Sequence, residues 1–283
     1  MENKTHRKRP AWLKVKAPAG ENFARVKNMM RSKELHTVCE EAHCPNISEC
    51  WNCGTATFMI LGDICSRNCR FCAVHPGKPL PADQKEPARV ADSVKDMGLR
   101  HAVITSVTRD DLKDQGAGIW ADTIRNIKEM NPDTTIEVLI PDFKGDEILL
   151  QKVFDEKPDV LNHNIETVPR LYPTVRPQAD YDVSLKVLDI AKRSGLKTKS
   201  GIMVGLGETK EEIFECMHDL REIDVNILTI GQYLQPTKQH LEVFRFVHPD
   251  EFSEYHSKGK ELGFEFVESA PLVRSSYHAE KHA

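Results

Sequence analysis

No stretch of the sequence approaches the ~18 consecutive apolar residues that would span a bilayer, so a transmembrane helix is not expected. The N-terminus (Met1-Glu2-Asn3-Lys4-Thr5-His6-Arg7) is basic, but no apolar segment follows it, which excludes a secretory signal and points to a cytoplasmic protein. Internal repeats and low-complexity tracts are absent as well, so solenoids and linker-like chains drop out. Aromatic residues make up only 7% of the chain, and just Trp12 and Phe23 interleave with the basic residues near the N-terminus. That is too few for a platform on which bases stack, and nucleic acid is not expected as a partner.

What is present is the composition of an ordinary globular chain. The 283 residues are 40% hydrophobic and 29% charged, enough for one barrel-sized α/β domain with extensions. Net charge is −4, unevenly spread: residues 1–33 carry ten Lys/Arg against Glu2 and Glu21. A basic arm on an acidic body is either a solvated tail or an electrostatic guide for an acidic macromolecule. Apolar, β-rich runs fall at Thr55–Leu61, His101–Val107, Thr135–Ile140, Val160–Ile165, Thr198–Val204 and Asn226–Ile230. Helical spacing occupies 146–157, 182–194, 209–222 and 250–262, with Gly195 and Gly263 as C-terminal stops. Strands alternating with helices imply parallel units joined by right-handed crossovers. Six strands fit a partial barrel, although an open doubly wound sheet has the same periodicity. In both, a site is expected at the C-terminal ends of the strands.

Seven of the eight cysteines fall between positions 39 and 72. In a long chain without a secretory signal, such clustering points to metal or redox chemistry rather than disulfides. Cys65-Ser66-Arg67-Asn68-Cys69-Arg70-Phe71-Cys72 is a C-x3-C-x2-C placed directly after the first strand. Three local thiolates can hold a [4Fe–4S] cluster with one iron left open, which a cofactor bearing an amine and a carboxylate could chelate. Phe71 would shield its flank. Structural zinc prefers four ligands, and this triplet lacks the fourth. Upstream, Cys39, Cys44 and Cys50 form a C-x4-C-x5-C, again three thiolates and so a second cluster. Cys53 makes a C-x2-C with Cys50, so a zinc site using Cys44, Cys50 and Cys53 stays open. Cys216 lies on an apolar helix face and is expected in the core.

The downstream triplet, with a strand before it and β/α units after it, resembles the signature of the radical S-adenosylmethionine (SAM) superfamily. Together the two spacings resemble the lipoyl synthases. Further blocks extend the resemblance along nearly the whole chain: Arg9-Pro10-Ala11-Trp12-Leu13, Glu41–Asn46, Thr105–Leu112, Asn162–Thr167 and Arg274-Ser275-Ser276-Tyr277. The resemblance implies a partial (β/α)6 TIM-like barrel of the radical SAM type, in which SAM is cleaved at the Cys65/Cys69/Cys72 cluster. The resulting 5′-deoxyadenosyl radical would take hydrogen from C6 and then C8 of an octanoyl-lysine, and sulfur would come from the Cys39/Cys44/Cys50 cluster. It also implies a serine ligand to that second cluster, for which Ser276 is chosen ahead of Ser275.

For SAM itself, Gly201–Glu208 resembles a G-x-I-x-G-x-x-E element, which nominates Gly205 and Glu208. Asn164 and Glu166 suit the ribose or the methionine amine, and Arg176 a forked contact to the methionine carboxylate. The expected organisation is a basic arm and auxiliary-cluster segment over 1–54, a barrel over 55–235, and a C-terminal helix and extension over 236–283. Expected partners are octanoylated lipoyl carrier domains of 2-oxoacid dehydrogenases and of glycine cleavage, a ferredoxin or flavodoxin as electron donor, and an iron–sulfur carrier. The enzymatic alternative is another two-cluster radical SAM enzyme, such as a methylthiotransferase or biotin synthase. The non-enzymatic one is a zinc-stabilised RNA-binding module.

Overall fold

The computed structural model describes residues 9–15, 19–53 and 55–281. Arg7, Lys8 and the rest of the arm's first eight residues lie outside them. The alternation read from the sequence becomes one eight-stranded sheet. After the short edge strand His36–Thr37, antiparallel to its neighbour, come Thr57–Ile60, His101–Ser106, Thr135–Leu139, Val160–Asn162, Lys197–Val204, Ile227–Gln232 and Phe266–Ser269, all parallel.

Neighbours in the sheet follow chain order without a reversal. Every crossover therefore carries the chain the same way round, as in a barrel; a doubly wound sheet reverses at a switch point. The two terminal strands of the sheet do not pair, so the barrel is open. All six expected strands are present. The seventh parallel strand, Phe266–Ser269, lies in the segment expected to be an extension. Only Val267 of its four residues is buried, so no apolar run marked it.

Helices form where the sequence supplies both an apolar stripe and caps. Asp180 caps Tyr181–Arg193 through the Val183 amide, and Thr209 with Glu212 makes a capping box for Lys210–Glu222. Helix Pro249–Leu262 stops at Gly263 in the left-handed conformation. Cys216 packs in the apolar cluster beneath these helices, as expected.

The inside of the barrel holds an ion pair. Lys199 Nζ lies 3.0 Å from Glu137 Oε2, both side chains fully buried, and Asn162 Nδ2 donates to Glu137 Oε1 at 2.9 Å. Removing one member strands a buried charge, so Lys199→Met should destabilise the protein by about 3–5 kcal/mol in urea unfolding. The double variant Lys199→Met/Glu137→Leu should regain most of that loss. A double no more stable than the single would show that the charges are not what the barrel interior needs.

Candidate active site

Cys65 ends the two-residue strand Ile64–Cys65, which pairs with His75–Pro76 and so closes the cysteine loop at its base. The loop is then tied down on three sides. Ser66 donates its amide (3.0 Å) and hydroxyl (2.9 Å) to the Thr108 carbonyl, the Arg70 amide donates to the Val175 carbonyl, and His240 Nε2 lies 2.9 Å from the Cys72 carbonyl. The Thr108 amide donates to Cys65 Sγ at 3.3 Å. Burial pushes the Cys69 thiol up and the Cys72 thiol up to about 12; Arg176 and Arg67 pull Cys69 the other way. Thiols that resist ionisation when empty release protons when they take a metal.

The upstream triplet is built on two short helices. Thr37 caps Val38–Glu41, which carries buried Cys39, and His43 with φ 51° turns the chain towards Cys44. Helix Ile47–Asn52 carries Cys50 and anchors through buried Trp51, whose ring lies 4.9 Å from that of Phe23. Burial and the thiolates of the other two members raise Cys50 to about 12; Cys39 rises to about 11 by burial and by Cys44. All three thiols pack with the same apolar cluster. Among the described residues no three His, Cys, Asp or Glu side chains are close enough to hold a single metal ion. A four-iron cubane holds its thiolates further apart than one ion does.

A cavity of about 560 Å³ at the C-terminal ends of the strands is lined by the whole downstream triplet, Cys65, Cys69 and Cys72, and by one upstream thiol, Cys44, while Cys39 and Cys50 do not line it. Asn164, Glu166 and Arg176 line it too. Arg176 NH1 donates to the Asn164 and Ile165 carbonyls (3.1 and 3.3 Å) and to the Tyr172 hydroxyl (3.1 Å). Asn164 Nδ2 donates to Glu166 Oε1 at 3.1 Å. Burial pushes the Glu166 carboxyl up, opposed by Arg176 and Arg274.

Two cavity residues emerge only from the structure. His163 is held to about 4 by burial and by Arg176; its Nδ1 meets the Ile140 carbonyl at 2.9 Å. Arg274, half-buried, stands in electrostatic reach of both Cys44 and Glu166. Neither has a local sequence signal beyond its place in a family-like block.

Gly205 and Glu208 do not line the cavity. The Glu208 carboxylate accepts the Gly205 and Leu206 amides (2.6 and 2.8 Å), which seals the turn after strand Lys197–Val204. Gly201, Ile202 and Met203, from the same strand, face the cavity instead.

The C-terminal tail lies between the two triplets. Asn46 Nδ2 donates to the Leu272 carbonyl, Ser275 lines the cavity and accepts from Asn164 Nδ2 at 3.3 Å, and the Tyr277 hydroxyl donates to Glu49 on the Cys50 helix. Ser276, which is not among the cavity-lining residues, sits between those two anchors.

The donor set fits a cluster with SAM. Three soft thiols share one wall, while Asn164 Oδ1, His163 Nε2 and Arg176 Nε are buried without partners on residues lining the same cavity.

The sequential open barrel with a thiol triplet after its first long strand defines a class, and residues 59–220 match the family model of the radical SAM superfamily. Solved structures agree on the fold. SuiB from Streptococcus suis, bound to its precursor peptide SuiA, matches with TM-score 0.61 at 13% identity over 75% of this chain and 48% of that one. Methylornithine synthase (PylB) matches with TM-score 0.53 at 16% identity over 77% and 72%.

Within that class, residues 1–44 match the N-terminal domain of lipoyl synthase. The chain is 60% identical to lipoyl synthase of Rubrobacter xylanophilus (96% of this chain, 85% of that one) and 57% to that of Shouchella clausii (99% and 92%). It is 54% identical to the mitochondrial lipoyl synthase of Nematostella vectensis (97% and 94%). The chain belongs to the lipoyl synthase family of radical SAM enzymes. Membership implies SAM and a [4Fe–4S] cluster. Among the described residues no helix is long and apolar enough to cross a membrane.

Proposed function

We propose that this chain inserts two sulfur atoms, at C6 and C8, into an octanoyl group carried on a protein lysine. What carries the reading is one cavity lined by Cys65, Cys69 and Cys72 together with Cys44 of the upstream triplet; its volume lies within the range of about 300–1,000 Å³ usual for small-molecule sites. Cys65, Cys69 and Cys72 hold the SAM-binding cluster; Cys39, Cys44 and Cys50, with a serine of the tail (Ser276 by family resemblance), hold the second. When bound, the first cluster supplies an electron for SAM cleavage and the second supplies sulfur.

The chain's own residues do the positioning. Arg176, with its Nε free, offers a donor to the methionine carboxylate. Asn164 and Glu166 offer an acceptor and a carboxylate to the amine or ribose. Neutral His163 presents a lone pair and leaves no extra positive charge beside the sulfonium. Val38, Ile47, Met59, Val107, Leu139 and Leu234 line the same cavity and suit an alkyl chain that must exclude water from a carbon radical.

The test is anaerobic turnover of SAM and an octanoylated carrier domain with a chemical reductant, read by intact mass. A gain of two sulfurs is expected. 5′-Deoxyadenosine formed without any sulfur gain by the carrier would leave a radical SAM enzyme of other specificity.

We also propose that the basic arm docks the carrier. Leu13 is buried and the Trp12 ring lies 5.2 Å from that of His248, which holds exposed Arg9 among the cavity-lining residues. Neutralising Arg7, Lys8 and Arg9 should slow turnover of an acidic carrier domain roughly tenfold at low salt and much less at high salt. An octanoylated peptide should be little affected; equal losses on both substrates would exclude docking.

A further inference from the structure

We infer that Arg67, clamped by Asp110 and Asp142, is a positioning residue that orders the Cys65–Cys72 loop and whose two carboxylate partners hold down the reduction potential of the cluster bound there. This inference rests on the reading of that triplet as a cluster site.

Arg67 lies inside the cysteine spacer, yet its side chain is only 4% exposed. Four of its hydrogen bonds reach two carboxylates on two different strand ends. Nε donates to Asp110 Oδ2 (2.7 Å) and NH2 to Asp110 Oδ1 (3.1 Å); NH1 donates to Asp142 Oδ2 (2.5 Å) and NH2 to Asp142 Oδ1 (2.7 Å). Asp110 follows strand His101–Ser106, and Asp142 follows Thr135–Leu139.

The carboxylates are themselves fixed. The Asp110 amide donates to Ser66 Oγ, and Asp142 Oδ1 accepts the Lys144 amide. Two forked contacts at right places do what a single lysine cannot, because the planar guanidinium sets direction as well as distance. The loop between Cys65 and Cys69 is thereby locked to the barrel by a group that touches no iron.

Charge is the second consequence. One guanidinium against two carboxylates leaves a net negative charge beside the cysteine loop, offset only in part by Lys144, whose Nζ is 3.6 Å from Asp110 Oδ1 and whose side chain is 57% exposed. Arg176, in electrostatic reach of Cys69, and Glu166, in reach of Cys69 and Cys72, face the same triplet and are common to every variant compared. Net charge near a cluster is one of the determinants of its potential: negative charge opposes taking up an electron.

The test uses the full chain carrying Cys39→Ala/Cys44→Ala/Cys50→Ala, so that only the downstream cluster reports. Reconstituted protein is titrated with dithionite and followed by EPR. Asp142→Asn and the better-exposed Asp110→Asn should each raise the potential by a tenfold change in the reduction equilibrium, about 59 mV for one electron. Arg67→Lys keeps the charge and loses the fork: the potential should stay in place while cluster uptake slows several-fold.

An unchanged potential in both Asn variants would overturn the electrostatic half, and unchanged uptake in Arg67→Lys the positioning half. If the parent itself takes up no cluster, it is the reading of the triplet that fails.

Discussion

Replacing Cys39, Cys44 and Cys50 with alanine should lower iron after anaerobic reconstitution from about eight to about four per chain, because one of the two proposed [4Fe–4S] sites is lost. The same variant should still cleave SAM, since Cys65, Cys69 and Cys72 and the cavity-lining groups Asn164, Glu166 and Arg176 are untouched. It should form no sulfur-containing product at all. The expected pattern, radical formation without insertion, separates the two triplets by role. About four irons in both proteins would mean that the upstream thiols hold no cluster, and the proposal that they donate sulfur would fall.

Gly231→Ala should be nearly as damaging to product formation, for a reason that lies in the tail. A Cβ at Gly231 would stand 2.1 Å from the Val273 carbonyl oxygen and 3.1 Å from its carbon, both backbone atoms with no rotamer to change. The tail is bound on either side of that point: the Gln232 amide donates to the Pro271 carbonyl, and Asn164 Nδ2 donates to Ser275 Oγ. The added methyl must therefore lift the segment that carries Arg274, Ser275 and Ser276, the last being the proposed ligand beside the upstream thiols. Misplacement of about 1 Å can cost about 100-fold in turnover, and a loss of that order is expected for sulfur insertion.

SAM cleavage should fall much less, and the tail should become more open to limited proteolysis. Gly98→Ala is the control: its Cβ meets nothing within 4 Å but is strained by φ +61°, so it reports lost stability alone. Insertion at parental rates by Gly231→Ala would show that the tail need not seat as it does.

Local chemistry was enough for much of this protein. Thiolate spacing is a property of a few neighbouring residues, and the β/α alternation is a property of apolar periodicity; both were legible along the chain, as were six strands and four helices, whereas helices Glu86–Met97 and Ala117–Met130 were not read. The family-like blocks could be read for the same reason. The seventh strand could not, because Phe266–Ser269 gains its place by pairing with Ile227–Gln232 rather than from any apolar run of its own.

Tertiary structure decided what depends on distant segments meeting. Strand order, not periodicity, distinguished an open barrel from a doubly wound sheet. The Gly205–Glu208 turn looked like part of a cofactor pocket, yet its carboxylate is satisfied by its own backbone, and the residues before it face the cavity. Arg67 and Arg274 read as ordinary polar positions in the sequence. Folding buries Arg67 and half-buries Arg274, and a charge taken out of water must find partners or lose its charge. Asp110 and Asp142, which pair with Arg67, and Cys44 and Glu166, within electrostatic reach of Arg274, come from elsewhere in the chain, and such meetings exist only once the chain has closed on itself.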